Sequence, residues 1–244
     1  MKRTFVDLNL RLKLNDSTET MKMLRKAKSL GYGMVGVPLA TEIQADEILK
    51  VQTACKEVGV NFVSRVNLYP RSPDDLMRQL RRIRRKFDVT CVVCKSKAVA
   101  RQAAKDRRVD LLSFPLLDFR KRFFDRAEAE LARSGLAALE IIIKPLLVLD
   151  SAPRIRLLSY LHREIAVAKR FGVPVVVSSG VSQELLLRNM NEIAALCFLF
   201  GLDKISALDA CSKIPFGVVI RNREKLRKNF VSPGIKLIKE GRDR

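Results

Sequence analysis

Short apolar runs rich in β-branched residues alternate along the chain with longer amphipathic stretches. The runs begin near Thr4 (TFVDLNL), Met34 (MVGVPL), Asn61 (NFVSRVNL), Val89 (VTCVVCK), Val109 (VDLLSFP), Leu139 (LEIIIKP) and Pro174 (PVVVSSG). They recur every 20 to 35 residues, the length of a strand–helix–strand unit. The runs are apolar at nearly every position, as in parallel strands covered on both faces. The pattern predicts an α/β protein, a TIM-like (β/α) barrel with about seven main parallel strands. An open doubly wound sheet is the alternative.

The stretches between the runs carry helix punctuation. Asp16 with Glu19, and Thr41 with Gln44, have the spacing of N-terminal caps. Ser72-Pro73 places a cap before a proline at the first helical position. Gly31, Gly59, Gly135 and Gly172 stand where helices should stop in a left-handed residue. After Gly180 the pattern predicts a helix over 182–200 and a short one over 203–212. The segment from Pro215 to Ile220 reads as a last strand or as a helix. Inward placement of Val218, Val219 and Leu226 favours the helix. No linker composition divides the chain, so residues 1–230 form one barrel domain and 231–244 a basic C-terminal tail.

Charge then changes the picture. The 244 residues carry 47 Lys+Arg against 26 Asp+Glu, a formal net charge of +21. Self-repulsion on this scale calls for a polyanionic partner. The hydrophobic share, 48%, is that of a folded domain and excludes a disordered basic chain. Uncharged stretches such as 171–183 and 193–202 are shorter than a membrane span. Five cysteines, odd in number and set in apolar runs, fit reduced thiols. Asp7 interrupts the first apolar run at once, which is unlike a signal sequence. A cytoplasmic protein with no membrane partner is the expectation.

Three segments hold most of the excess charge. Residues 71–86 carry +5, 101–126 carry +4 and 221–244 carry +6. In the first, Leu76, Leu80, Ile83 and Phe87 follow helical spacing, which places Arg78, Arg81, Arg82 and Arg85 on the opposite face. Guanidinium groups suit phosphate because their fork bonds bidentately. A plain solvated face is the competing reading of such a stripe. The second segment offers Arg107, Arg108, Lys121 and Arg122, interleaved with Phe119, Phe123 and Phe124 that would stack on bases or fill the core. The third offers Arg221 and Lys225, then Lys228 and a tail with Lys236, Lys239, Arg242 and Arg244. These cations are the candidate RNA contacts. Arg65, Lys95 and Lys144 stand at expected strand ends, where a barrel mouth would present them to a phosphate or leave them snorkelling at the rim.

Catalytic motifs are scarce. Cys91 and Cys94 point to opposite faces of a strand and have no second pair at ligand spacing. His162 is the one histidine and falls within a helical pattern. There is no glycine-rich nucleotide loop and no nucleophile elbow. Ser178-Ser179-Gly180-Val181 is either an anion-holding turn or a plain strand end. Asp7 and Asp118 are the acids nearest the expected mouth, too few for metal-assisted hydrolysis.

Phe5-Val6-Asp7-Leu8-Asn9, the run Val175 to Gly180, and the stretch Arg188-Asn189, Gly201-Leu202, Ala207-Leu208 resemble the archaeal ribonuclease P protein component 3 family. These proteins are relatives of the thirty-kilodalton eukaryotic ribonuclease P subunit. The resemblance extends over about residues 3–228. It implies a seven-stranded barrel related to the polymerase and histidinol phosphatase (PHP) phosphoesterases. Those enzymes carry His-x-His where this chain has Asp7-Leu8-Asn9, and an acid and a histidine where it has Ser179-Gly180-Val181. The resemblance therefore implies a barrel that has lost its metal site. The implied role is a subunit of the ribonucleoprotein that removes 5′ leaders from precursor tRNA. In that enzyme the RNA is catalytic and uses Mg2+, and the protein binds no cofactor of its own. Its implied partners are ribonuclease P RNA, protein component 2, the other ribonuclease P proteins and, indirectly, precursor tRNA. Two other readings stand beside this one. One is an autonomous phosphate-substrate barrel enzyme using Arg65, Lys95 and Lys144. The other is a protein that coats nucleic acid without preference.

Overall fold

A computed structural model describes residues 3–83, 85–115, 118 and 121–227, and the backbone of 230–232 and 235–236. Seven strands lie side by side in chain order: β1 (Phe5–Asp7), β2 (Tyr32–Leu39), β3 (Asn61–Leu68), β4 (Val89–Val93), β5 (Leu111–Ser113), β6 (Ala138–Ile142) and β7 (Val175–Ser178). Each pairs in parallel with the next. Helices α1 (Ser17–Ser29), α2 (Ala45–Val58), α3 (Pro73–Arg82), α4 (Lys97–Lys105) and α5 (Arg126–Gly135) link them, with α6 (Lys144–Val148) and α7 (Ser151–Phe171) between β6 and β7. The C-terminal part adds α8 (Met190–Phe198), α9 (Lys204–Ala210) and α10 (Lys213–Leu226).

The barrel closes through loops. Among the described residues no ladder joins β7 to β1. The Gly180 amide instead donates to the Asn9 carbonyl at 3.0 Å, and the Arg11 amide to Val181 at 2.9 Å. At the other end of β1, the Val6 amide donates to Cys211 at 2.9 Å. The result is a nearly closed TIM-like α/β barrel.

The core has two layers. Inward side chains such as Leu8, Met34, Val63, Cys91 and Val176 meet Val218 and Val219 of α10. The larger layer packs the outer strand faces against the helices. The chain after Ser212 is thus a helix that plugs the barrel, and not an eighth strand. Its seat lies at the N-terminal ends of the strands. Asn222 donates to the Asp88 carbonyl at 2.8 Å, Arg221 to Asp110 at 2.9 Å, and Arg223 to Asp88 at 3.2 Å and to the Phe62 carbonyl. Leu226, expected inward, is exposed. It ends the helix beyond the barrel rim.

Several boundaries differ from expectation for local reasons. Asp16 and Ser72 cap α1 and α3 as read from sequence. The cap of α2 is Gln44 in a reciprocal box with Glu47, and not Thr41 with Gln44. Gly59 and Gly172 adopt the left-handed conformation that stops a helix. Gly135 instead stays helical, and Leu136 turns left-handed at φ 66. A side chain at 135 would strike the Ala104 carbonyl, so this glycine serves the close approach of α5 to α4. The helix expected over 182–200 is broken. A 3-10 turn at Glu184–Leu186 gives way to extended chain, and Asn189 with Glu192 caps α8. Beyond α10, Phe230–Ser232 pairs antiparallel with Ile235–Lys236. The readings placed on Phe119, Lys228, Lys239, Arg242 and Arg244, and on the Lys236 side chain, lie outside the described residues.

The α5 cap carries a titration. Burial pushes the Glu128 carboxyl up to about 7, and the neighbouring Asp125 carboxylate adds to that rise. Glu128 therefore holds its proton more tightly in the folded chain than in the unfolded one. Its contribution to stability is full below its ordinary range near 4.5 and is lost as pH rises through about 7. Glu128→Gln is expected to flatten that loss, read as urea midpoints of both proteins at acidic and alkaline pH. An identical pH trend in the two proteins contradicts the assignment.

Candidate nucleic-acid interface

The barrel mouth is filled by its own side chains. Arg65 lies within β3, 1% exposed, and is not at the rim. Its guanidinium pairs bidentately with Glu140 of β6 and also donates to the Leu8 carbonyl at 2.9 Å and to Asn67 at 2.8 Å. Burial alone would raise the Glu140 carboxyl, but the Arg65 charge holds it below its usual range. The expectation of Arg65 as a phosphate contact is overturned, because its hydrogen-bonding fork is spent inside the barrel. Lys95 is exposed beyond β4, with its ammonium 5.6 Å from the Tyr69 ring centre. Lys144 is half-buried at the start of α6. The three do not form one site.

The turn after β7 is equally occupied. Ser179 donates to Asp7 through its amide, at 3.0 Å, and through its hydroxyl. The Gly180 amide is taken by Asn9. This is the plain strand end, with no free amide cradle at these positions. Burial raises the Asp7 carboxyl despite the bonds from Ser179 and Asn9. The Asn9 amide group and the Ser178 hydroxyl are buried without protein partners. No group of three or more His, Cys, Asp or Glu gathers among the described residues to hold a metal. With Glu140 neutralised by Arg65 and Asp7 bound by Ser179, the donor set does not fit a divalent ion.

The first basic cluster is real but differently arranged. Helix α3 ends at Arg82, because the chain must turn at Ile83 to return Phe87 to the core before β4. Arg78, Arg81 and Arg82 are exposed on α3. Arg85 sits past its end at φ 58, a left-handed conformation rare for arginine. Two of the four have acidic partners: Arg78 with Asp75 at 3.6 Å, and Arg82 with Glu42 at 2.6 Å. Arg81 and Arg85 form no ion pair with a described acidic side chain.

The second cluster divides. Arg107 is exposed and forms no ion pair among the described residues, whereas Arg108 is clamped by Asp106 at 2.6 Å. Lys121 is exposed and pairs with Asp118 at 2.6 Å. Arg122 is buried, joined to Glu164 of α7 and bonded to the Pro115 carbonyl at 3.2 Å. It is a structural cation, so its expected role in RNA contact is overturned. Phe124 is core, packed against Phe114 at 6.1 Å, and Phe123 is half-buried. In the third cluster Arg221 is one-third exposed and held by Asp110, while Lys225 is half-buried. Burial, Arg221 and Arg107 all lower the Lys225 ammonium, against a smaller opposing pull from Asp110.

The structure brings the three clusters together. Arg81, Arg85, Arg107, Arg108 and Lys225 line one groove of about 800 Å³ below the N-terminal ends of β4 and β5. Its floor is Leu80, Ile83 and Phe87, and Leu226 flanks it. A smaller concavity of about 440 Å³ gathers Lys97, Arg126 and Arg163 beside Tyr160, whose ring Arg163 covers at 4.8 Å. The convergence was missed from sequence, yet a signal was present. In a β/α barrel every helix-to-strand loop lies at the N-terminal end, and 81–86 and 107–108 immediately precede adjacent strands. Arg163 carried no signal beyond its charge.

Fold and site define a TIM-like barrel protein with a buried Arg65–Glu140 ion pair inside the barrel and a cationic groove at the N-terminal ends of its strands. A family model described as RNase P subunit p30 matches residues 4–228, and the chain belongs to that family. Ribonuclease P protein component 3 of Methanosarcina acetivorans is 32% identical over 185 residues, 76% of each chain. That of Methanosarcina barkeri is 31% identical over 216 residues, 88% of this chain and 87% of the relative. A chain in the cryo-EM structure of archaeal ribonuclease P with mature tRNA has the same fold. It superposes with a TM-score of 0.84 at 22% identity, covering 98% of this chain and 100% of that one.

Proposed function

We propose that this chain is an RNA-binding, non-catalytic subunit of ribonuclease P, acting in removal of 5′ leaders from precursor tRNA. The observation that carries the reading is family membership over residues 4–228 together with the cationic end of the barrel. The RNA supplies the active site with Mg2+, and the protein neutralises phosphates where the RNA's catalytic domain packs. Clustered Arg and Lys lower that repulsion and release counterions. Arg78, Arg81, Arg82, Arg85, Arg107, Arg108, Lys121, Arg221 and Lys225 remain the candidate contacts, with Arg81, Arg85, Arg107 and Lys225 foremost. Ribonuclease P RNA, protein component 2 and the other proteins of the complex are the partners, in the cytoplasm. No described helix is long and apolar enough to cross a membrane.

Reconstitution tests this. Ribonuclease P RNA is assembled with the partner proteins, with and without this chain, and 5′ leader removal is followed across Mg2+ concentration. Adding the chain is expected to raise the rate and lower the Mg2+ requirement. Leader removal indifferent to the chain contradicts the reading, as does cleavage by the chain without RNA.

A further inference from the structure

We propose that the groove between α3 and α10 holds an unpaired nucleotide of the partner RNA, with its base on the apolar floor and its phosphates on the cationic rim. The inference rests on the reading of the chain as an RNA-binding subunit and names what this one surface takes.

The electrostatics select an anion. Arg81, Arg85 and Arg107 have no acidic partner among the described residues, although they stand round one concavity. The two acids in the groove wall are already used. Asp88 accepts from Ser64, at 2.9 Å from its amide, and from Arg223, and Asp110 accepts from Thr90 at 2.9 Å and from Arg221. Mutual repulsion of the rim cations is thus uncompensated by acidic partners among the described residues. Arg85 occupies its left-handed conformation at a cost that a bound phosphate would offset.

Shape selects an unpaired nucleotide over a duplex. A duplex shows its phosphates on a convex surface and keeps its bases stacked inside. It would touch the rim and leave the floor empty. A cleft of about 800 Å³ is instead of ligand size, and Leu226, exposed beside a floor of nearly buried Leu80, Ile83 and Phe87, gains from covering by an aromatic base. Arginine also adds stacking to bidentate phosphate contact, which favours a nucleotide over the carboxylates of an acidic peptide.

The full-length chain is titrated against a labelled single-stranded RNA and against the duplex of the same sequence, read by fluorescence anisotropy at matched salt. The single strand is expected to bind roughly tenfold more tightly, as one stacked base supplies. Leu226→Arg fills the flank of the groove with a further cation at an exposed position, so folding is preserved. It is expected to keep or tighten duplex binding while the preference for single strand falls to near unity. Equal affinity of the parent chain for both RNAs, or a preference untouched by Leu226→Arg, overturns the proposal. So does competition by a polyglutamate peptide as effective as single-stranded RNA, which would assign the groove to an acidic protein segment. Leader removal by the reconstituted complex is measured in parallel. If it still depends on the chain while the preference is absent, the groove proposal fails and the subunit reading stands. If it does not depend on the chain, the subunit reading itself fails.

Discussion

Arg65→Met is expected to lower the stability of the fold by about 3–5 kcal/mol, the range for breaking a buried ion pair on one side. Both partners are essentially inaccessible, with side chains 1% and 0% exposed. Without the guanidinium, Glu140 keeps only neutral neighbours, such as the weak Cys91 thiol contact at 3.5 Å, and must be protonated or remain charged inside the barrel. Leu8 and Asn67 lose a donor as well. The double variant Arg65→Met with Glu140→Leu removes both charges and is expected to recover most of the loss. Urea midpoints of the two variants read the difference. A single variant as stable as the parent would show that the pair does not hold β3 to β6.

Reversing two unpaired rim charges, Arg81→Glu with Arg107→Glu, is expected to act on RNA and spare the fold. Both side chains are exposed, and neither carries an ion pair whose loss would unseat a helix. Each phosphate contact contributes about −0.7 to −0.9 to the slope of log affinity against log salt. Losing two contacts should flatten that slope by roughly 1.4–1.8. At physiological salt the affinity for ribonuclease P RNA should fall by on the order of tenfold or more. The paired Lys121, reversed to Glu, should change the slope less. Equal slopes in parent and double variant would remove the groove from the RNA interface and leave its arginines to a protein neighbour.

Much of the barrel was legible because its strands are buried on both faces. An apolar run such as Val175–Ser178 has few other places to go, and glycines such as Gly59 and Gly172 mark where each helix must release the chain. What escaped depended on pairs distant in sequence. Arg65 read as a rim cation because nothing near it announces Glu140, 75 residues away. Arg122 looked like an RNA contact because its partner, Glu164, is 42 residues on. The arginines of α3 read as one stripe because helical spacing continues through Phe87, while the tertiary need to begin β4 stops the helix at Arg82. The candidate site was therefore legible as composition and as three segments. Their meeting required the topology that places loops before β4 and β5 beside α10.

The central claim is that the chain meets RNA with the N-terminal end of its barrel and not with the mouth. A photoreactive amino acid placed at Arg107 or, in a second protein, at Lys95 tests it within the reconstituted ribonucleoprotein. Crosslinks to ribonuclease P RNA from position 107, and few or none from position 95, are the predicted result. Crosslinks to the RNA from position 95 alone would contradict the account and return the interface to the mouth.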